Sequence, residues 1–566
     1  MMKTAYRYGT FLLLIVVLVT SCSKKAPKQT QYIPKDAGAV FSINPKRLFD
    51  KLNNNHVNVD SIIKSATAGD TTMRWTMDDI KNSGIDMESD VYMFVQQAGS
   101  IMSGQSSVIG FTGAMRSTSD FEAFLKRKMG TLQIQKANDY SYANLKNGFV
   151  AGWNNDAALI VDATSMNMAN GETSGANFGA SQKALTTYFT QKDDASIASV
   201  EGFKDASKER ADMLLFTSSN SALATVPMLG MSKASDLLKD LYSVSTINFE
   251  DGKLVMDSKA YTNKMLADTL KNYAGPKVDM DMVDHYPGPV NGFAVFSFNP
   301  KLITAILNIA GATATANQSL QQLGFTVDDV VSAFKGDFAV IFSNVGMVEK
   351  TSPEYPGMKF KQPTARLLVN AAIGNKAAYD KIVAALAAKD IMVQQNGQYI
   401  LKEMAEGKAD GFVMNADGKN LIVASDDTLL RQYKAGTGKV SLPQGVADKV
   451  KGNAVAFYAD IASILNAIPP DTTDQTMMNS ARQTFKDAIL SSENISGNTI
   501  KGHMEVRFVN DKENSLATLT HYFGTLANAM ENMKESAGVT ETELNGPYAT
   551  DTTITNDSPR VEQKTK

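Results

Sequence analysis

Ala39 to Lys46 reads AVFSINPK, and Ala294 to Lys301 reads AVFSFNPK. The octets stand 255 positions apart and differ only where Ile43 is matched by Phe298. Ala39, Phe41 and Ile43 alternate with Val40 and Ser42, as a strand requires. Asn44 is a favoured helix cap, and Pro45 suits the first helical position, whose N–H has no intrahelical partner. Leu48 and Leu52 then fall on the inner side of that helix. The octet is a strand-to-helix corner. Its recurrence predicts a folding unit used twice rather than a substrate motif used twice.

Further matches fall in the same order. Ser119-Asp120-Phe121-Glu122 reads as a capping box with Ser119 at the cap. Gly130 ends that helix, and Phe121, Phe124 and Leu125 form its stripe. Asn375, Tyr379, Ile382 and Val383 repeat the pattern. GFVAGWNNDAALIVDATS from Gly148 answers GFVMNADGKNLIVASDD from Gly411, each as two strands around a polar turn. DMLLFTSSNSALATV from Asp212 answers AVAFYADIASILNAI from Ala454. Last, the hairpin around Asp251-Gly252 answers the one around Gly497-Asn498. Tight hairpins join antiparallel strands. The expected fold is α+β, with two tandem diverged repeats at residues 35–273 and 290–535. Each carries an antiparallel sheet with helices packed on one face. Residues 274–289 are broken by Pro and Gly and read as a solvated linker. Leu516, Leu519, Phe523, Leu526, Met530 and Met533 mark a last helix packed on a core. The polar stretch 536–566 reads as a disordered tail.

The beginning of the chain carries an address. Lys3 and Arg7 precede an apolar run from Phe11 to Val19, too short to span a bilayer. Val19-Thr20-Ser21-Cys22 resembles a bacterial lipobox, so residues 1–21 read as a signal peptide and Cys22 as the acylated residue. Residues 22–34 read as a flexible basic tether. Cys22 is the one cysteine of the 566 residues, so the mature chain has no thiol nucleophile and no internal disulfide. Without residues 1–21 there remain 54 basic groups against 59 acidic ones, or −5. That balance gives no case for nucleic-acid binding.

The search for chemistry is short. His56, His285, His503 and His521 form no metal or catalytic motif, and no phosphate or dinucleotide loop occurs. Asp279, Asp281, Asp284 and His285 cluster in VDMDMVDH, but the glycine and final glutamate of a calcium loop are missing; a solvated linker is expected there, with no metal site and no cofactor. Trp75 and Trp153 read as core residues. No catalytic residue is assigned.

YIPKDAGAVFSINPKRL after a lipobox, with AVFSFNPK in a second half, resembles the lipoprotein family of unknown function numbered 4836, found in envelopes of Bacteroidota-type bacteria. The resemblance implies no established activity. Ser23-Lys24-Lys25-Ala26 replaces the acidic residues of surface-exported lipoproteins, which implies an outer-membrane anchor with the body in the periplasm. The expected function is a non-enzymatic binding or assembly component. It would be held in outer-membrane lipid through the acylated cysteine, with an envelope protein or the cell wall as partner. The alternatives are an envelope hydrolase acting on glycan or peptidoglycan through paired carboxylates, and a surface glycan-binding lipoprotein.

Overall fold

The computed structural model describes residues 26–66, 76–100, 104–167, 172–173, 177–220, 223, 233–351, 355, 357–408, 411–469 and 475–536. The signal segment 1–21, Cys22, Trp75 and the tail beyond Ser536 lie outside them.

The first half contributes β1 (Ala39–Ile43), β2 (Val91–Ser100), β3 (Gly104–Ala114), β4 (Gln135–Lys136), β5 (Ser141–Asn144), β6 (Val150–Trp153), β7 (Ala157–Asn167), β8 (Glu172–Thr173), β9 (Met213–Ser218), β10 (Tyr242–Glu250) and β11 (Lys253–Tyr261). The second half contributes β12 (Gly292–Ser297), β13 (Phe334–Thr351), β14 (Lys359–Ile373), β15 (Met392–Gln395), β16 (Gln398–Leu401), β17 (Val413–Ala416), β18 (Asn420–Ala424), β19 (Val455–Ala459), β20 (Phe485–Ser492) and β21 (Thr499–Phe508). The helices used below are α1 (Pro45–Asn54), α2 (Thr118–Met129), α3 (Phe178–Thr190), α4 (Glu201–Ala206), α5 (Lys264–Asn272), α6 (Lys301–Ala310), α7 (Lys376–Ala388), α8 (Asp427–Lys434), α9 (Val446–Val450) and α10 (Ser515–Ser536).

The fold is mixed α+β around one large antiparallel sheet. Its order is β4-β5-β6-β7-β3-β2-β1-β9-β10-β11 and then β21-β20-β19-β12-β13-β14-β18-β17. Short β8 extends the end of β7, and β15-β16 is a separate hairpin. Among the described residues the ladders run from β4 to β17 without returning on themselves. The halves meet where β11 pairs with β21 over nine rungs, from Lys253↔Arg507 to Tyr261↔Thr499. Asp257↔His503 is the middle rung.

The opening corner forms as its residues dictate. Asn44 Oδ1 accepts from the Arg47 N–H at 3.0 Å, and Pro45 is the first residue of α1. In the second corner Asn299 Oδ1 accepts from the Lys301 N–H at 3.1 Å, and α6 begins one residue later. Val40 and Ser42 are buried, whereas Phe41 and Ile43 are half-exposed. The buried face carries two main cores. In the first half Val40, Phe94, Leu159, Val161, Leu214 and Phe216 pack under Leu185 and Tyr188 of α3 and Phe203 of α4. In the second, Phe293, Val295, Ile341, Leu368 and Tyr458 pack under Leu429 and Tyr433 of α8 and Val450 of α9. Each such buried side chain contributes about 1.5–3 kcal/mol.

Four expectations need correction. Helices do not keep to one face. At the outer strands α2 packs Phe121, Phe124 and Leu125 on Trp153 and Ala158, and α7 packs Tyr379 and Val383 near Leu421. Those positions alternate with the core residues along the strands, so these helices lie on the opposite face. The α2 cap is Ser117, whose hydroxyl accepts from the Asp120 N–H, not Ser119. The tether ends sooner than residue 34. Lys28–Tyr32 form a 3₁₀ turn, the Gln29 amide donates to Asp90 O at 2.9 Å, and Ile33 is fully buried. Likewise 274–289 is no solvated linker, because Val278, Met282, Val283 and Tyr286 supply apolar surface to the second core.

The long last helix meets its expectation only in part. Ala517 and Leu516 of α10 pack with Leu52, Val57 and Val59 of the first half, so the chain end crosses back to α1. Reciprocally, α5 of the first half touches α6 of the second. Phe523 and Met530, expected inside, are 59% and 53% exposed. No helix among the described residues is long and apolar enough to cross a membrane.

Candidate functional site

Registers fix which side chains share a face across the sheet, because neighbours along a strand point to opposite sides. On the face opposite the two main cores one row reads Val91, Ile43, Met213, Ile247, Met256, Met504, Leu490, Phe457, Ala294, Val340 and Val369. It crosses eleven adjacent strands, from β2 to β14. Every member is apolar, and none is buried. At ~4.8 Å per strand the row is roughly 48 Å long. Parallel rows add Phe111, Met93, Phe41, Leu215, Phe296 and Phe338. Phe111 is 42% exposed, and Met93, Phe296, Phe457 and Leu490 lie between 37% and 39%.

Apart from the β13–β14 arm, where Glu349 stands opposite Lys361 and Thr351 opposite Lys359, the ladder positions of this face from Ser107 on β3 to Ala371 on β14 present no Asp, Glu, Lys, Arg or His. An exposed sheet face is normally polar, giving a clean hydrophobic-in, polar-out alternation. Here alternation fails because both faces are apolar. At the end near α10 the face is covered. Phe249 and Phe508 are buried there, Tyr522 of α10 meets Phe485 edge-on at 5.0 Å, and α10 lies against β10 and β11.

The junction is built differently on its other side. There Asp257, Lys259, Ser491, Lys501 and His503 line a polar cleft of about 390 Å³, bordered by Gly202 of α4 and Lys449 of α9. His503 Nδ1 lies 2.8 Å from Asp257 Oδ1, and its Nε2 is 3.9 Å from Glu505 Oε2. Glu505 is buried and pairs with Lys449, with Lys253 at 3.7 Å. Burial pushes the Glu505 carboxyl up, but Lys449, Lys253 and Arg507 outweigh it and hold it below its ordinary value. Arg507 forks onto buried Asp487 at 2.5 and 2.6 Å, which raises the guanidinium further. The side chains here lock the halves together. Glu505 is neutralised by cations and Asp257 is committed to His503, so neither stands free to work as half of a carboxylate pair.

Asp279, Asp281, Asp284 and His285 are exposed around a short helical turn, and Asp279, Asp281 and His285 line a shallow hollow with Asp337 and Asp417. Among the described residues no three His, Cys, Asp or Glu side chains gather to hold a metal ion. Trp153 is buried, with Nε1 donating to Glu122 Oε1 at 3.2 Å. Cys22 lies outside the described residues. Sequence reasoning passed over the apolar face and the His503–Asp257 pair. The signal for the first was available, in strands whose two alternating sets are both apolar.

Two solved structures of a protein titled TP0453, crystal forms I and IV, are similar to this chain at 9% identity each. They cover 45% and 41% of it, and 88% and 80% of their own chains, with TM-scores of 0.22 and 0.23. No curated protein matches. The model of the family described as "Domain of unknown function (DUF4836)" matches residues 29–432, and the chain belongs to that family.

Proposed function

We propose that this is a lipid-anchored cell-envelope protein that binds a partner or ligand without catalysing a reaction. It is held at the outer membrane through acylated Cys22, with its body in the periplasm. The observation that carries the reading is the apolar row from Val91 to Val369. A contiguous exposed apolar patch longer than a few side chains marks an interaction surface. The order of basic start, apolar run, small residues and Cys22 supports the anchor. The rival hydrolase reading gains nothing from the junction, where Glu505 and Asp257 are already paired.

The body is a duplication in this reading. The order β6-β7-β3-β2-β1-β9-β10-β11 corresponds strand for strand to β17-β18-β14-β13-β12-β19-β20-β21. Each half's last helix also docks beside the other half's first helix.

Cell fractionation after radiolabelled palmitate tests the anchor. The full chain is expected in the outer-membrane fraction with label, and Cys22→Ser in neither. Label retained on Cys22→Ser would overturn it. Protease added to intact cells should leave the body uncut until the outer membrane is permeabilised.

A further inference from the structure

The occupant of the apolar face follows from what that face lacks. Outside the β13–β14 arm its ladder positions offer no charge from Ser107 to Ala371. Across the central rows each of the twelve strands from β3 to β14 is paired on both sides, and open backbone edges are confined to strand ends such as the β13–β14 arm. A peptide strand binds by extending such an edge. A protein interface usually carries about one hydrogen bond per 100–200 Å², and several hydroxyls of this face are already engaged within the sheet: Thr217 bonds Ser243, Ser258 donates to Gly502 O, and Ser492 donates to Lys501 O. A hydrocarbon chain needs neither charge nor hydrogen bond and gains by leaving water. Met93, Met213, Met256 and Met504 spread along the rows give the surface a side chain that reshapes easily around such a guest.

Resting on the envelope-binding reading above, we propose that this face binds the hydrocarbon chains of individual lipid molecules, taken out of the bilayer and laid across the strands from β2 to β14. Van der Waals contact with Phe41, Met93, Phe296, Phe457 and Leu490 holds the chains. The headgroup remains in water, because the central rows have no charged group to pair with it.

The test uses the full chain in its own cells, grown with a fatty acid that carries a diazirine and an alkyne. Before illumination the tag is expected on the peptide containing Cys22 alone. After illumination it should appear also on peptides containing Met93, Phe296, Phe457 or Leu490. Phe457→Asp with Leu490→Asp should lower this light-dependent tagging at least about tenfold, since burying a charge against hydrocarbon costs well over ~1.4 kcal/mol. Should circular dichroism show that pair unfolded, Leu490→Gln alone supplies the readout and should also lower tagging. Light-dependent tag confined to Phe523 and Met530 would mean contact with the bilayer surface and overturn the inference. So would photo-linkage of these strands to a second copy or another polypeptide. A tagged Cys22 with untagged strands overturns the lipid site and leaves the anchor standing; tagged strands with an untagged Cys22 do the reverse.

Discussion

Asn44 does more than its position as a helix cap suggests. Besides accepting from Arg47, its amide donates to Glu88 O at 2.9 Å and to Asp90 Oδ1 at 2.8 Å. Burial pushes the Asp90 carboxyl up, and the Asn44 hydrogen bond opposes that. Asn44→Ala therefore removes a cap and strips two partly buried acceptors, for an expected loss of about 2–3 kcal/mol in urea unfolding. Asn44→Ser keeps the cap and should lose roughly half of that. Glu505 gives the matching prediction in pH. Its folded pKa is lowered below 4.5, so its stabilisation is present above that value and is lost as pH falls through the lower folded one. The thermal midpoint should drop with acid in wild type, and Glu505→Gln should flatten that drop. An equal slope in both proteins would exclude this carboxyl as a cause.

Elements were legible where their signals were local. The AVFSINPK corner, the α2 and α7 stripes and the Asp251-Gly252 hairpin all rest on residues within a turn of each other. Faces were not legible. Phe41 and Ile43 read as well inside as Val40 and Ser42 do, and only the partner Phe94 shows which pair is in the core. The α10 stripe misled for the same reason, since helical period marks an apolar side without saying what lies opposite. Contacts of α10 carry a prediction of their own. A chain stopped after Lys512 should lose amide protection in α1, at Leu52 and onward to Val59, because Leu516 and Ala517 cover those residues. Unchanged exchange there would show that α10 is an appendage.

At the scale of the molecule, the pairing of β11 with β21 makes one sheet out of two halves 246 residues apart. No local signal encodes that ladder, so nothing in the sequence pairs His503 with Asp257. Calorimetry of the intact chain should show a single transition. Met504→Pro places a residue without an N–H in a strand paired on both sides and should split the transition in two. One transition in both proteins would mean that the halves are coupled through the helices instead. The middle rung has a further consequence. In a dimer of identical subunits joined by this same ladder, the residue on the symmetry axis would face its own copy, acid against acid or imidazole against imidazole. A single covalent chain escapes that rule. It can set Asp257 against His503, give α4 and α9 different sequences at the two ends of one cleft, and let each flank of the sheet drift independently while the ladder keeps them in register.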